Sequence, residues 1–257
     1  MTNSVTSFDT DGFTLGDTAQ VNLNNGTFVA WNWKAGGSAV SNTNGSITSS
    51  VSANPSAGFS IVSWVGTNTT GSVGHSLSKI PELILSKSRT VVGDWIVPTT
   101  VIDGSMDYSR LNTTNAFATL GVTASTASIF YTASGAGNRG DMIAYCFHSV
   151  DGHSRVSTYI GNGNADGPFV NCGFRPAYVM IKRTNSTSSW QIFDTDRDVT
   201  NVMSRQLKAE DSAAENNNAL QLIDFTSNGF KFRSTNGGYN ASGSTYIFLA
   251  FAESPFK

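Results

Sequence analysis

Part of this chain occurs twice at a spacing of 95 residues, and this repeat constrains the fold more than any other feature. The residues that recur without a gap are Gly66 and Gly161, Pro81 and Pro176, Lys87 and Lys182, Trp95 and Trp190, Ser109 and Ser204, and Arg110 and Arg205. Residue classes around them match as well, since residues 83–85 read Leu-Ile-Leu and residues 178–180 read Tyr-Val-Met. Self-similarity at a fixed period predicts one supersecondary unit that is present in two copies.

A second, aromatic-rich pattern occurs three times, at residues 27–33, 141–147 and 245–251. The first and third copies follow the motif Phe-x-x-x-Gly-Phe. Along the chain, copies of this pattern alternate with the two copies of the longer unit. We therefore predict that it forms the strand that closes each unit, and that its first copy supplies an additional N-terminal hairpin.

The composition favours short strands joined by tight turns. Charged residues make up only 13% of the 257 residues, which is about half the usual share in soluble proteins. Short apolar runs, as in residues 82–87, 177–182 and 245–251, are typical of buried strands, and Asn-Gly and Asp-Gly pairs mark turns between them. We predict an all-β fold, in which only residues 202–222 contain a helical turn or two.

The repeat predicts a division into three parts. We place two related β-sandwich units, of a jelly-roll or concanavalin-like kind, at residues 56–151 and 152–257, and an N-terminal closing hairpin with a connector at residues 1–55. Residues 35–57 are almost entirely Gly, Ser, Ala, Thr and Asn, so we expect a flexible or surface-draped connector there. The hairpin of residues 1–34 is expected to cap an exposed edge of the first unit by pairing with it.

Charge and hydropathy argue against two classes of partner. The formal net charge of -2 leaves no basic footprint for nucleic acid. No apolar run approaches a membrane span, and the first residues do not resemble a secretory signal, so we expect no membrane insertion and synthesis in a cytoplasm. The two cysteines, Cys146 and Cys172, lie in apolar strand-like runs, and we predict two buried reduced thiols.

Three motifs carry a resemblance to a known family. They are the runs Phe28 to Gly37, Arg175 to Arg183, and Ala250 to Pro255. They resemble a repeat family of virion proteins from tailed bacteriophages, especially marine and cyanobacterial phages. The resemblance implies a virion-surface or tail-fibre protein with other virion proteins as partners, located in the virion. It carries over no catalytic or binding residue. Because phage fibres are commonly trimers, we also expect a homo-oligomer, with a closed trimer favoured.

One loop and three aromatic side chains are the candidates for ligand binding. Asn162, Asn164 and Asp166 alternate before a glycine, as in the opening of a calcium loop. Because the glutamate that such a loop requires is absent, we favour a plain turn. Tyr108, Tyr131 and Tyr239 are predicted to lie in loops, where a solvent-facing aromatic ring would stack on a sugar of a host surface glycan or receptor.

For the aspartates and histidines, the sequence favours a structural role over a catalytic one. Asp194, Asp196 and Asp198 alternate, which places three carboxylates on one face of an extended segment, but the first copy has no matching set. We predict a solvated strand end. The histidines His75, His148 and His153 are interpreted as structural or surface residues, because the sister repeat does not require imidazole at the matching positions. We therefore expect no catalysis, no metal and no cofactor.

The repeated cations are predicted to be structural as well. Lys87 and Lys182 end matching apolar runs and are expected to lie over Trp95 and Trp190 in cation–π contacts that close the sandwich edge. Both tryptophans are predicted to be equivalent core residues. The arginines that recur at the same spacing allow either this structural role or the binding of a ligand's acid group in duplicate.

Three functions remain open on the sequence. A structural or adhesive virion protein that presents loops for host attachment fits the repeat, the low charge and the resemblance best. A lectin-like module adds a sugar site at loop aromatics. A polysaccharide depolymerase requires a pair of facing carboxylates, which the repeat does not supply.

Overall fold

The computed structural model describes residues 4–217 and 222–255 and is almost entirely β-stranded. The prediction of an all-β sandwich fold is thereby confirmed. The chain divides into two compact units, residues 1–33 and residues 34–257, and both repeats belong to the second unit. Each unit is described by itself below.

The first unit holds one short hairpin and one helical turn: β1 (Val5–Phe8), β2 (Phe13–Leu15) and α1 (Ala19–Asn22). The side chain of Asp9 holds the hairpin turn by accepting hydrogen bonds from the Ser7 and Thr14 hydroxyls at 3.0 and 2.8 Å. Residues 27–33, in contrast, form no strand. The prediction that they copy the closing strand is wrong, because an aromatic pattern does not by itself supply a neighbouring strand to pair with.

The first repeat consists of ten strands that form two sheets. These strands are β3 (Val40–Asn42), β4 (Ser49–Asn54), β5 (Phe59–Thr67), β6 (Gly71–Gly74), β7 (Leu83–Ser88), β8 (Ile96–Thr99), β9 (Asp107–Arg110), β10 (Ala118–Thr119), β11 (Ile129–Thr132) and β12 (Arg139–Phe147). The larger, antiparallel sheet has the order β10-β9-β8-β7-β12-β5-β4-β3, and β6 pairs with β11 in the smaller one. Short 3-10 turns lie at Pro55–Ala57 and Gly135–Gly137.

The second repeat consists of nine strands and one helical turn. These elements are β13 (Ser154–Ile160), β14 (Phe169–Asn171), β15 (Pro176–Arg183), β16 (Gln191–Asp194), β17 (Arg205–Lys208), β18 (Asn216–Asn217), β19 (Ile223–Thr226), β20 (Gly229–Phe232), α2 (Gly237–Asn240) and β21 (Thr245–Ala252). The larger sheet has the order β13-β21-β15-β16-β17-β18, and the smaller one has the order β14-β20-β19.

The two larger sheets share one topology. Reading from β5 in the first repeat and from β13 in the second, each strand has a counterpart in the same place and direction. The registers agree residue by residue, because Trp64 lies opposite Met142 on β12 and Tyr159 lies opposite Tyr246 on β21. The duplication in the sequence is therefore a duplication of sheet topology.

The Gly- and Ser-rich segment is not a loose connector. β3 and β4 come from it, and β4 pairs with β5 along six residues. The expected flexible connector is wrong because backbone pairing needs no large side chain, and the apolar residue Val51 points into the core. β4 lies along this edge of β5, and β1 and β2 pair with each other in a two-stranded sheet of their own.

The two repeats lose their constant spacing after β16. The loop before β17 covers residues 195–204. It is three residues longer than the matching loop before β9, which covers residues 100–106. As a result, Lys208 lies opposite Gln191, where Arg110 lies opposite Ile96. The structural counterpart of Arg110 is therefore Lys208, and the recurrence of Ser-Arg at 95 residues is a coincidence of sequence.

The predicted helical turn in residues 202–222 is wrong for the part that the structure describes. That part holds β17 and β18, and the only described α-helical turn of the second repeat is α2. Of the charged side chains that favour a helix there, Arg205 and Asp211 are exposed, whereas Lys208, Glu210 and Glu215 are half-buried. Residues 218–221 lie outside the described residues.

Each repeat has its own core between its larger and smaller sheets. In the first, Trp64 packs edge-on against Phe130 with ring centroids 5.6 Å apart. In the second, an aromatic cluster surrounds Phe230 and Phe232. Cys146 and Cys172 are free and buried, which confirms the predicted reduced thiols, and burial raises the pKa of each thiol to about 12.

Candidate functional site

The repeated lysine and tryptophan of the second repeat form a buried site. Lys182 lies near the end of β15 and Trp190 directly precedes β16, which brings the ammonium to 5.9 Å from the centre of the indole ring. The predicted cation–π contact is confirmed. Neither side chain is accessible to solvent, since Trp190 is 1% and Lys182 is 0% exposed. Burial lowers the pKa of Lys182 to about 8, an effect that the nearby charge of Glu210 partly opposes.

A segment of the first repeat covers this site through main-chain hydrogen bonds. The Trp190 indole N–H donates to the carbonyl of Arg110 at 2.9 Å. The carbonyl of Thr114 accepts from both the Lys182 ammonium and the Ser188 backbone N–H, each at 2.9 Å. The Lys182 ammonium also donates to the carbonyl of Ser188. Two carbonyls and the face of the Trp190 ring thus surround the buried ammonium, and burial of a charge is less costly when the charged group has such partners.

The covering segment also contributes one apolar contact. The backbone N–H of Phe117 donates to the carbonyl of Thr184 at 2.9 Å, and the Phe117 ring meets the Trp190 ring edge-on with centroids 6.0 Å apart. We call residues 110–117 together with Lys182, Thr184 and Trp190 the repeat junction. The sequence repeat did not reveal the contribution of Phe117, because its counterpart in the second repeat is not aromatic.

The first repeat has the same pair without the cover. The Lys87 ammonium lies 5.8 Å from the centre of the Trp95 ring and donates to the carbonyl of Gly93 at 2.5 Å, the place that Ser188 takes in the second repeat. Lys87 and Trp95 are nevertheless only half-buried. The prediction that both tryptophans are equivalent holds for their position and is wrong for their burial.

The repeated arginines do not form a second shared site. Arg110 pairs with Asp94 at 2.8 Å and lies over the Tyr108 ring at 5.5 Å, whereas Arg205 pairs with Glu215 at 3.5 Å. Since the two arginines are not structural counterparts, they do not read a ligand group in duplicate.

The candidate calcium loop is a series of side-chain turns. The side-chain oxygen of Asn162 accepts from the backbone N–H of Asn164 at 2.9 Å, and that of Asn164 accepts from Asp166 at 3.0 Å. The fully buried Asn240 holds the loop, because its side chain accepts from the Asn162 N–H and donates to the Asn164 carbonyl. Two of the oxygens that would bind a cation therefore accept hydrogen bonds from the backbone of the loop, as in the plain turn that we favour.

Asp166 is paired with cations of the protein. Its carboxylate lies 2.8 Å from the Lys231 ammonium and 3.7 Å from the Arg233 guanidinium. A hydrogen bond from Lys231, followed by the charge of that lysine, lowers the pKa of Asp166. Among the described residues, no group of three or more His, Cys, Asp or Glu side chains is arranged to hold a metal ion.

The three tyrosines proposed as sugar platforms lie in different environments. Tyr239 is fully buried, with its ring stacked on Phe232 at 5.0 Å, so its prediction as a solvent-facing loop residue is wrong. It lies in the helical turn α2, which packs into the core. Tyr108 on β9 and Tyr131 on β11 are half-buried and belong to different sheets.

The three alternating aspartates do not form a solvated strand end. Asp194 and Asp198 are buried, and only Asp196 is exposed. Asp194 pairs with Arg197 at 2.6 Å, and Asp198 accepts from the backbone N–H groups of Ser204 and Arg205 at 2.6 and 3.1 Å. These carboxylates fold the long loop before β17 back onto the sheet.

The three histidines each have a packing or hydrogen-bond partner within the protein. His75 is fully buried, accepts from the Leu77 backbone N–H at 3.1 Å and lies 3.1 Å from the Thr126 carbonyl. Burial lowers the pKa of His75. His148 is buried with one ring nitrogen 2.9 Å from the Ser149 carbonyl, and His153 packs against Phe251.

A shallow groove of about 410 Å³ lies at one end of the first repeat's larger sheet, and its lining combines polar side chains with apolar ones such as the exposed Val65. Serine hydroxyls from β3, β4 and β5 line it, together with the exposed charged side chains of Arg89 and Asp141. Its aromatic residue, Trp64, is buried in the core and offers no stacking face. The sequence does not indicate this groove, because most of its serines and its threonine belong to the Gly- and Ser-rich segment for which a connector is predicted.

Comparison with known proteins gives one match. The family model described as "Domain of unknown function (DUF7483)" matches residues 1–255. No curated protein and no solved structure matches the chain. In the part of the chain that the structure describes, no helix is long and apolar enough to cross a membrane. The resemblance to virion proteins therefore stays a prediction, and the function has to be argued from the geometry of the chain.

Proposed function

We propose that this chain, which belongs to the DUF7483 family, is a non-enzymatic structural protein of a bacteriophage virion surface or tail fibre. In this proposal it presents loops for host attachment. The placement in a virion rests on the three motifs that resemble phage proteins. The structural role rests on the repeat junction.

The repeat junction carries the argument for a structural role. A repeated pair of chemically versatile residues could in principle bind a ligand twice. In the second repeat, however, the ammonium of Lys182 and the indole N–H of Trp190 both bond to carbonyl oxygens of the protein. The repeated chemistry thus joins one repeat to the next, as nearest-neighbour contacts do in stacked repeat proteins.

The depolymerase alternative loses its candidate carboxylates. Asp194 and Asp198 are committed to Arg197 and to backbone N–H groups, and Asp196 is the one exposed member of the set. A glycosidase needs two carboxyl groups that face each other across a cleft. The test is the release of reducing ends from purified host polysaccharide by the protein and by Asp196→Asn. Release by the unaltered protein alone would make the chain an enzyme.

Electron microscopy of gold-labelled particles tests the virion placement. An antiserum against the purified chain is expected to label intact particles of the phage that encodes it, and preimmune serum is the control. Purified protein should also slow adsorption of that phage to its host in proportion to its concentration. Unlabelled particles together with unchanged adsorption would overturn the proposal.

The groove between Arg89 and Asp141 favours a lectin-like module as the second candidate. Hydroxyl and charged side chains in a shallow surface groove suit a polar sugar, although such sites commonly add an aromatic platform. A glycan array with the unaltered protein and with Asp141→Asn separates the two functions. Binding that disappears in the variant would establish the lectin-like function, and an array without binding would leave the structural one.

A further inference from the structure

The second repeat contains a counterpart of the segment that covers the repeat junction. In the first repeat, the backbone N–H of Trp95 donates to the side chain of Asn112, and the backbone N–H of Leu111 donates to the Trp95 carbonyl. In the second repeat, the backbone N–H of Trp190 donates to the side chain of Glu210 at 3.0 Å, and the backbone N–H of Ala209 donates to the Trp190 carbonyl at 3.2 Å. Residues 208–215 therefore occupy the place that residues 110–117 occupy in the first repeat.

The local conformation of the two segments agrees further along. The Asn115 N–H donates to the Thr113 side chain, and the Ala213 N–H donates to the Asp211 side chain. In the first segment the carbonyl of Thr114, between these residues, faces the second repeat. Its counterpart, residue 212, is exposed, as are residues 211, 213 and 214.

The surfaces that receive these segments differ in the same way. Lys182, Thr184 and Trp190 are buried under the first repeat's segment. Their counterparts in the first repeat are Lys87 and Trp95, which are half-buried, and Arg89, which is exposed. Among the described residues, the first repeat thus carries a receiving surface without a covering segment, and the second repeat carries a covering segment whose residues 211–214 are exposed.

The charges of these two regions are opposite. The receiving surface carries Lys87 and Arg89, whereas the segment carries Lys208 and three acidic residues, Glu210, Asp211 and Glu215, and is therefore net negative. Within the chain, Asp211 pairs with Lys208 at 3.6 Å. In the internal junction, Thr184 stands in place of Arg89 and Phe117 in place of Glu215. Glu215 pairs within the chain with Arg197 at 2.8 Å and Arg205 at 3.5 Å, and between copies Arg89 would join this group of charges in place of the aromatic contact. Charge complementarity across an interface fixes orientation and speeds encounter.

We propose that residues 208–215 of one copy bind the Lys87–Trp95 surface of a second copy, so that the protein assembles head to tail. By the geometry of the internal junction, the carbonyl of residue 212 accepts from the Lys87 ammonium and the carbonyl of residue 208 accepts from the Trp95 indole N–H. Glu215 then lies beside Arg89. This inference concerns assembly and does not depend on the proposed place in a virion.

The symmetry of such an assembly follows from its two different surfaces. A contact between unlike surfaces is heterologous, and it gives a ring when the rotation between copies closes and a helical filament when it does not. A ring of three copies would account for the trimer predicted from the sequence.

Sedimentation velocity and light scattering test the assembly. Protein concentrations from about 5 to 200 μM span the dissociation constants of a contact with micromolar affinity. The unaltered protein is expected to gain mass with concentration. Arg89→Glu faces Glu215 with a like charge and should raise the dissociation constant by at least about 100-fold. The double variant Asp211→Lys and Ala214→Lys, which changes exposed residues of the segment, should have the same effect.

Mixing the two variants gives the sharpest readout. Each is expected to be monomeric alone, while a mixture should form a one-to-one dimer, because one copy retains its segment and the other retains its receiving surface. Arg139→Glu and Asp196→Lys are the matched controls, since both reverse the charge of an exposed side chain outside these regions. Thermal melting of each variant verifies its folding.

Three results would overturn the inference. They are a monomeric unaltered protein at every concentration, an Arg89→Glu variant that assembles as well as Arg139→Glu, and a mixture of the two variants that stays monomeric. None of these results bears on whether the antiserum labels virions, so the two proposals fail separately.

Discussion

Trp95 and Trp190 occupy the same position in two sheets of the same topology, each beside a lysine at nearly the same distance. Trp190 is nevertheless buried, and Trp95 is half-exposed. The difference does not come from their own repeats, which present them alike. It comes from residues 110–117, which lie over Trp190 and have no described equivalent over Trp95.

This difference shows that the environment of a repeated residue depends on the neighbouring repeat. In stacked repeats, stability is approximately the sum of the stability of each repeat and of the interfaces between neighbours. Lys182 belongs to such an interface, and its ammonium donates to one carbonyl from each side of it. Lys87 has a carbonyl from its own side only.

The largest expected effect separates the two tryptophans. Trp190→Ala removes a fully buried ring and its hydrogen bond, and should lower the free energy of unfolding by about 4 kcal/mol. Trp95→Ala removes a half-exposed ring and should cost only about 1.5 kcal/mol. Denaturant titration of both variants measures the difference. Equal losses would mean that the repeat junction contributes nothing beyond each repeat's own packing.

The two lysines give the next effect. Lys182→Met keeps most of the side-chain volume but leaves the carbonyls of Thr114 and Ser188 without the donor that Lys182 supplies, which should cost about 2 kcal/mol. Lys87→Met changes a half-exposed residue whose carbonyl partner can turn to water, and the effect should stay within about 0.5 kcal/mol. The same titration checks both. A Lys182→Met variant as stable as Lys87→Met would show that the junction carbonyls find other donors.

The sequence contained enough information to predict that the two repeats are related units, because matched residues lie at matched registers, but it did not predict the order of their strands. Gly66 and Gly161, Lys87 and Lys182, and Trp95 and Trp190 recur on strands or turns that are true counterparts. The match at Ser204 and Arg205 misled, since the loop before β17 is three residues longer than its counterpart. Backbone hydrogen bonds, which no sequence spacing displays, identify Lys208 as the counterpart of Arg110.

The candidate site was harder to predict than the fold, for two physical reasons. Burial in a repeat protein depends on long-range contacts, so Tyr239 in a polar Gly- and Asn-rich stretch gave no sign that its ring fills the core. Main-chain carbonyls, such as that of Thr114, carry the junction, and every residue type has one. The repeated Lys182 and Trp190 marked one side of the junction, whereas the covering side carried one side-chain signal, Phe117, an isolated aromatic in a polar segment.

A smaller effect distinguishes the repeats by pH. The buried His75 of the first repeat stands where the second has the buried Val170. Because burial lowers the pKa of His75 from 6.5, the unfolded chain binds its proton more readily than the folded one. The contribution of His75 is thus fully present above pH 6.5 and is lost as the pH falls toward the lowered value.

His75→Val should therefore flatten the dependence of unfolding free energy on pH below 6.5, even if it lowers stability at neutral pH. His153 keeps part of the slope, since burial lowers its pKa in the same direction. Denaturant titrations at several pH values compare the variant with the unaltered protein. If the free energy of unfolding depends on pH in the same way in the variant, then His75 has the same pKa in the folded and the unfolded chain, and the prediction is wrong.

The smallest effect leaves stability untouched and reports access alone. Lys182 has a pKa of about 8, so near pH 8 far more of it is the neutral, nucleophilic amine than of an ordinary lysine with a pKa of about 10.4. Chemistry alone would make Lys182 the faster residue toward an amine-acylating reagent, whereas burial makes Lys87 the faster one. Mass spectrometry of peptides after brief labelling decides between them. We expect Lys87 to label first in dilute folded protein and both lysines to label at similar rates in denaturant, where burial no longer separates them. Faster labelling of Lys182 in the folded protein would mean that the repeat junction opens readily, and the difference between the two tryptophan environments would then be a property of a transient contact.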